Sequence, residues 1–315
     1  MARVSVIIPN YNHTVYLKQR IDSVLNQTYR DFEVIILDDC STDNSIEIIE
    51  QYRNNEKIVH IVLNDANSGS TFKQWDKGIQ LAKGEYIWLA ESDDWCENNF
   101  LQVIVDGLEK NKEAVFGYCQ SFCINDEGLI IFQSSYTKLE DYCPANEYLE
   151  KFLCFGNAVF NASMAVFRKD FYYKVSDFYK TFKFTGDWVF WAELSRLSPV
   201  YVNARPLNYF RKHDNDVSGK IYASGLNFIE ELKVLNYFHE RLGLNGSQYL
   251  KAKIRLYNRF IAGESRIDHT LKEQTRALFF AKVSFFQKQQ FLILSSLYLL
   301  KSNLNRRINR PLRTS

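Results

Sequence analysis

Tyr86-Ile87-Trp88-Leu89-Ala90-Glu91-Ser92-Asp93-Asp94-Trp95 runs from an unbroken apolar segment into three carboxylates within four residues. Carboxylates this dense repel one another unless a cation or solvent separates them. At the exit of a buried strand they suit a divalent metal ion. The same residues also suit the cap of a helix beginning near Phe100. This stretch alone leaves both open.

Upstream, the chain alternates strand and helix. Val4–Ile8 is a short β-rich run stopped by Pro9, followed by a helix with Leu17, Ile21, Val24 and Leu25 on one face. Phe32–Leu37 reads as a second strand ending in Asp38-Asp39, and Ser41-Thr42-Asp43 can cap a helix carrying Ile46, Ile49 and Tyr52. Ile58–Leu63 is a third strand, and Phe72, Trp75, Ile79 and Ala82 mark a helix that Gly84 stops before Tyr86. Such alternation with continuous apolar strands predicts a mostly parallel sheet covered on both faces. Ligands of open sheets bind beyond the carboxyl ends of the strands, so Pro9–Asn12, Asp38-Asp39 and Glu91–Asp94 are expected in one cleft.

Downstream, the pattern predicts a helix over Phe100–Glu109, strands at Ala114–Cys119, Leu129–Phe132 and Met164–Phe167, and a helix over Asn146–Phe155. Gly186-Asp187-Trp188 opens an amphipathic helix, and two short strands, Val200–Val202 and Leu207–Arg211, follow. From about Gly225 to Arg307 only helices are expected, broken at Leu242–Gly246, Gly263 and Gln287–Gln290. The expected organisation is a catalytic α/β domain over 1–220, split into halves 1–110 and 111–220, and a helical region over 221–315.

An apolar share of 46% with 24 Phe and 19 Tyr supports a sizeable core in 315 residues. A net charge of +2 argues against nucleic-acid binding. The six cysteines have no zinc-site spacing, and Met1–Val4 passes straight into a strand with no room for a signal peptide, so a reducing cytoplasm is expected. No Gly-x-Gly-x-x-Gly follows the first strand and no P-loop motif occurs. Pro9, Tyr11 and Asn12 offer instead an aromatic and amide groups that suit a planar base, or an ordinary strand-to-helix turn.

Five motifs in order carry a resemblance: Val-Ser-Val-Ile-Ile-Pro-Asn-Tyr-Asn (4–12), Ile-Leu-Asp-Asp-Cys-Ser-Thr-Asp (36–43), Asn67-x-Gly69, Ala-Lys-Gly-Glu-Tyr-Ile (82–87) and Glu-Ser-Asp-Asp (91–94). The chain resembles a family 2 glycosyltransferase of the GT-A fold, and the likeness resumes at Gly186-Asp187-Trp188 and Arg211-Lys212-His213. The resemblance implies inverting transfer from a nucleotide sugar, with UDP as the expected nucleotide. It assigns Asp39 to the pyrimidine base, Asp93 to the metal ion (Mn²⁺ or Mg²⁺), and Glu91, where Asp is more usual, to the donor ribose or metal shell. Asn67 and Ser92 join the donor-binding set. Lys73 stands where many relatives carry an Arg-Asn pair. Asp187 matches the catalytic base, with a helix-dipole carboxylate as its bland alternative. His213 matches a segment closing over the diphosphate and can ligate the metal, with Arg211 assisting. Asp94 is either a supporting residue or part of the turn.

The acceptor implied is a glycan or lipid-linked saccharide in cell-surface polysaccharide synthesis; a non-catalytic nucleotide-sugar-binding scaffold is the competing expectation. Residues 279–313 are rich in Phe and Leu, and five basic residues without an acid follow from Lys301. The longest apolar run there, Phe291–Leu294, is far short of the ~20 residues a bilayer span needs. Contact with the inner face of the membrane, packing on the catalytic domain and oligomer formation are the alternatives.

Overall fold

The computed structural model describes residues 2–213, 217–281 and 283–308. It divides into two compact units, Met1–Asp216 and Val217–Ser315, a boundary four residues before the expected one.

In the first unit, β1 (Val4–Asn10), α1 (Thr14–Leu25), β2 (Phe32–Asp38), α2 (Ser45–Gln51), β3 (Ile58–Leu63), α3 (Thr71–Leu81) and β4 (Tyr86–Leu89) follow the expected alternation. Then come β5 (Trp95–Cys96), α4 (Phe100–Lys110), β6 (Phe116–Ile124), β7 (Ile130–Gln133), β8 (Glu140–Cys143), α5 (Ala145–Lys151), β9 (Ala165–Arg168), α6 (Lys169–Tyr172), α7 (Gly186–Leu197) and β10 (Val200–Arg211). The sheet order is β3-β2-β1-β4-β9-β6-β10-β5, with β7 on β6 and β8 on β10. β1, β2 and β4 are buried at every residue, as parallel strands covered on both faces must be. The β3-β2-β1-β4 block is wholly parallel, whereas β9 enters antiparallel between β4 and β6. Parallel register aligns Asn10 with Asp38, and the Ala90 N–H continues the β4 ladder onto the Ile7 carbonyl at 2.8 Å. The carboxyl ends of β1, β2 and β4 therefore open on one edge.

Four local expectations are corrected. Val200–Val202 and Leu207–Arg211 are one strand, β10, with register shifts on either side of Pro206. Proline donates no ladder bond, so it sits at the irregularity and splits the apolar pattern. The helix expected over Asn146–Phe155 ends at Lys151 and continues as a 3₁₀ turn, Leu153–Phe155. The strand expected over Ala114–Cys119 is displaced to Phe116–Ile124 because β9 and β10 pair with it on both sides. Gln287–Gln290 is no break: it lies inside a long helix, since glutamine is a good helix former.

The second unit contains α8 (Val217–Ser224), α9 (Leu226–Glu240), α10 (Gly246–Gly263), α11 (His269–Phe279) and α12 (Phe285–Ile308). Its core is aromatic: Phe228 meets Phe260, and Tyr257 meets Phe279 and Phe291. Arg259 forms a fork with Glu231 at 2.7 and 3.1 Å. α12 buries Phe291 and Ser295 while Phe286, Ile293, Leu297 and Leu300 are exposed. Among the described residues no helix is long and apolar enough to cross a membrane. The basic tail from residue 309 onward lies outside the described residues.

Candidate active site

Two residues leave the β1 and β2 ends in the left-handed region, Asn12 (φ 56°) and Cys40 (φ 64°). Asparagine tolerates this conformation; cysteine does so at a cost of roughly 1–2 kcal/mol. The two loops are latched together: Ser41 Oγ accepts the Asn12 N–H at 2.9 Å and Asn12 Oδ1 accepts the Thr42 N–H at 2.7 Å. Pro9 is buried within β1, whereas Tyr11 is exposed.

Asp39 is buried and does not cap α2; Asp43 takes the Ser45 N–H instead. Asp39 Oδ1 accepts from Asn64 Nδ2 (2.7 Å), the Ser68 N–H (2.9 Å) and Gln74 Nε2 (2.8 Å), and Oδ2 from Ser68 Oγ (2.8 Å). Asn67 closes this loop by donating to the Asp39 carbonyl at 3.1 Å, and Lys73 Nζ reaches the Ser68 carbonyl at 2.9 Å. The next residue on α3, Trp75, donates its indole N–H to Glu91 Oε1 at 2.8 Å. Gln74 and Trp75 thus tie the Asp39 hydrogen-bond cluster to the carboxylate cluster through one rigid helix.

Within the cluster the carboxylates have different surroundings. Burial, with Asp93 next to it, pushes Glu91 up to about 8, against the indole hydrogen bond. Asp94 is buried; burial and the Asp93 charge raise it. Its Oδ2 accepts from Asn161 Nδ2 and Ser163 Oγ, and its Oδ1 from the Arg211 N–H at 3.1 Å. Asp94 therefore holds the scaffold. Burial also works against Asp93, but the His213 hydrogen bond and the charges of His13 and His213 outweigh it and hold Asp93 low. His213 Nε2 stands 3.3 Å from Asp93 Oδ2. The fully buried Arg20 supplies positive charge, donating to the Glu91 carbonyl at 2.8 Å and lying 4.0 Å from Asp94.

Arg211 points inward, donating to the Asp93 carbonyl at 3.0 Å and Gln19 Oε1 at 2.8 Å, with its guanidinium 4.6 Å from the Tyr16 ring centre. Ser92 Oγ pairs with His13 Nδ1 at 2.8 Å. One ring nitrogen each of His13 and His213 and one Asp93 oxygen lie within 4.8 Å of one another. This mixed nitrogen and oxygen set fits a divalent cation such as Mn²⁺.

Asp187 lies at the second residue of α7, half-buried. Its Oδ2 accepts from Asn157 Nδ2 at 2.9 Å and its Oδ1 from the Trp188 N–H at 2.8 Å; burial pushes it up to about 7. α7 packs on the Glu91 anchor through Trp75–Phe190, with ring centres 5.8 Å apart.

Residues 5–176, more than half the chain, match the family model of glycosyl transferase family 2. The chain belongs to that family.

This family 2 chain is 33% identical over 141 residues to the glycosyltransferase GlyG of Streptococcus pneumoniae serotype 4, covering 44% of this chain and 45% of GlyG. It is 34% identical over 146 residues to the putative teichuronic acid biosynthesis glycosyltransferase TuaG of Bacillus subtilis, covering 46% and 54%. The matched stretch thus spans about half the length of these curated relatives. Among solved structures, S. aureus TarS 1-349 in complex with UDP-GlcNAc superposes with a TM-score of 0.62 at 19% identity, covering 82% of this chain and 73% of that one. The mannosyltransferase PcManGT from Pyrobaculum calidifontis, in complex with GDP-Man and Mn²⁺, superposes at 0.51 with 14% identity, covering 95% and 87%. The fold is that of the GT-A glycosyltransferases, as the motifs imply.

Sequence reasoning missed His13, Arg20, Gln74, Asn157, Asn161 and Ser163. His13 directly follows the Pro9–Asn12 motif, and its position at a strand end was its one available signal. The others act through contacts distant in sequence that no spacing announces.

Proposed function

We propose that this chain moves a sugar, with inversion, from a nucleoside diphosphate sugar to a hydroxyl of a glycan or lipid-linked acceptor in cell-surface polysaccharide synthesis. UDP is the nucleotide and Mn²⁺ or Mg²⁺ the metal. The observation that carries this is the α3 bridge: Gln74 holds Asp39, which the resemblance assigns to the pyrimidine, and Trp75 holds Glu91, beside Asp93 and His213. Base and diphosphate are thereby addressed by one rigid element. The names of the relatives support this reading, since a TarS 1-349 structure is a complex with UDP-GlcNAc and TuaG is named a putative teichuronic acid biosynthesis glycosyltransferase.

Asp93 and His213 would hold the cation, which when bound supplies positive charge for the departing diphosphate. Asp187 takes the proton of the acceptor hydroxyl as that oxygen bonds to the anomeric carbon and the bond to the diphosphate breaks. Asn157 and the Trp188 N–H fix the carboxylate for this transfer. General base catalysis of this kind contributes about a hundred- to ten-thousand-fold. The first unit, Met1–Asp216, is the catalytic part, and the second, Val217–Ser315, the helical region. α12 contains no acid and exposes Phe286, Ile293, Leu297 and Leu300, which supports contact with an anionic membrane surface on the cytoplasmic side. Cys40, Cys96, Cys119 and Cys143 are free thiols, which agrees with a reducing compartment.

The test is titration of the full chain with UDP and with GDP in Mn²⁺, followed by a nucleotide-sugar panel scored for nucleotide release. Binding of UDP that requires metal is the expected result. A chain folded by circular dichroism that binds no UDP with metal present overturns the proposal.

A further inference from the structure

We propose that His13 is a third protein donor to the divalent cation, giving a seat of two imidazoles and one carboxylate. This rests on the donor site proposed above and adds a residue and a metal preference to it. The donor atoms of His13, Asp93 and His213 lie within 4.8 Å of one another, each from a different segment: the β1–α1 junction, the loop after β4 and the end of β10. Donors sharing one ion stand roughly 3–4 Å apart when each bond is about 2.1 Å, so small side-chain rotations close the set.

The His13 side chain does not cap the helix it precedes. It occupies the N-cap of α1, where Ser, Thr, Asp or Asn is preferred, yet its side chain makes no capping bond. Asp43 satisfies the Thr14 N–H instead, at 2.9 Å. The His13 ring is turned toward the carboxylate loop, where Ser92 Oγ fixes it at 2.8 Å. Supporting hydrogen bonds of this sort orient metal-binding imidazoles. The His213 ring stands edge-on to it, centres 5.6 Å apart, and is braced by Tyr16 at 5.1 Å. Tyr16 is itself anchored to Asp126 at 2.6 Å. Both imidazoles are therefore held by protein contacts beside Asp93.

Two nitrogen donors change the choice of ion. Mg²⁺ takes oxygen ligands and keeps its waters, whereas first-row transition ions bind imidazole with rising affinity from Mn²⁺ onward. The geometry points to a site that favours Mn²⁺ or Co²⁺ over Mg²⁺.

The test is a Mn²⁺ titration of the full chain with UDP, read as free Mn²⁺ by electron paramagnetic resonance, with Mg²⁺ and Co²⁺ as competitors. Wild type should prefer Mn²⁺ and Co²⁺ to Mg²⁺. His13→Ala and His13→Gln should weaken Mn²⁺ by tenfold or more and change Mg²⁺ binding less. Circular dichroism selects the folded variants, and the glutamine, which can still bond Ser92, supplies a second one. Wild-type Mn²⁺ affinity in a folded variant overturns the role of His13 and leaves the donor site standing. No Mn²⁺ binding by wild type, even with UDP, overturns both.

Discussion

The Trp75 indole N–H meets Glu91 Oε1 at 2.8 Å, so a ring buried in the core reaches the carboxylate cluster with its one polar atom. Trp75→Phe keeps the packing and removes the donor, leaving a buried carboxyl short of a partner. The expected loss is about 1–3 kcal/mol of stability, read from urea unfolding, together with weaker UDP binding. Glu91→Gln, which keeps an oxygen acceptor for the indole, should lose less.

Asp187 yields a pH prediction. As a base it must be ionised, and burial raises it to about 7. Transfer rate should therefore rise with pH and level off above about 7. Asp187→Asn should lower the rate by about a hundredfold or more while UDP affinity stays within twofold. The linkage sign is also fixed. A carboxyl raised on folding stabilises the protein below its unfolded value and loses that contribution as pH climbs through about 7. The asparagine variant should thus gain stability relative to wild type between pH 4 and 8, measured as the shift in unfolding midpoint.

Arg211 binds the Asp93 carbonyl, Gln19 and the Tyr16 ring. Arg211→Ala should cost roughly 1.5–3 kcal/mol for the charged hydrogen bonds, seen in thermal unfolding. It should also loosen the Asp93 loop and weaken metal-dependent UDP binding. Arg211→Lys, unable to form the same fork, should recover little of either.

Gly186, the first residue of α7, lies tightly against its neighbours: a Cβ there would lie 2.3 Å from the Tyr179 carbonyl oxygen and 2.5 Å from Phe72 Cζ. Gly186→Ala must displace the first turn of α7 and the adjacent Asp187. Overpacking of this kind costs typically 1–3 kcal/mol. Turnover should fall more than UDP affinity, a split that single-turnover kinetics and nucleotide titration separate.

The first hundred residues were legible because strand period, helix stripe and polar strand ends repeat in register. Asp39, Glu91 and Asp93 sit at strand ends, where the alternation alone sends ligands. Beyond Phe100 the information is non-local. β8 is short and polar, with Glu140-Asp141-Tyr142, and becomes a strand only through its pairing with β10. Pro206 makes one strand look like two. Asn157, Asn161 and Ser163 look like ordinary loop residues until the fold lays them against Asp187 and Asp94. Asp94 itself was open between supporting residue and turn; three donors from two distant segments make it a support.

Asp94 has a kinetic consequence. Its carboxylate receives Asn161, Ser163 and the backbone of Arg211, so the loop bearing Asp93 is joined to chain 67 to 117 residues away. Displacing that loop would break several buried hydrogen bonds at once. The entropy of ordering the loop is lost once, when the chain folds, and not again at each turnover. A donor arriving at this edge of the sheet meets groups already preorganised for it.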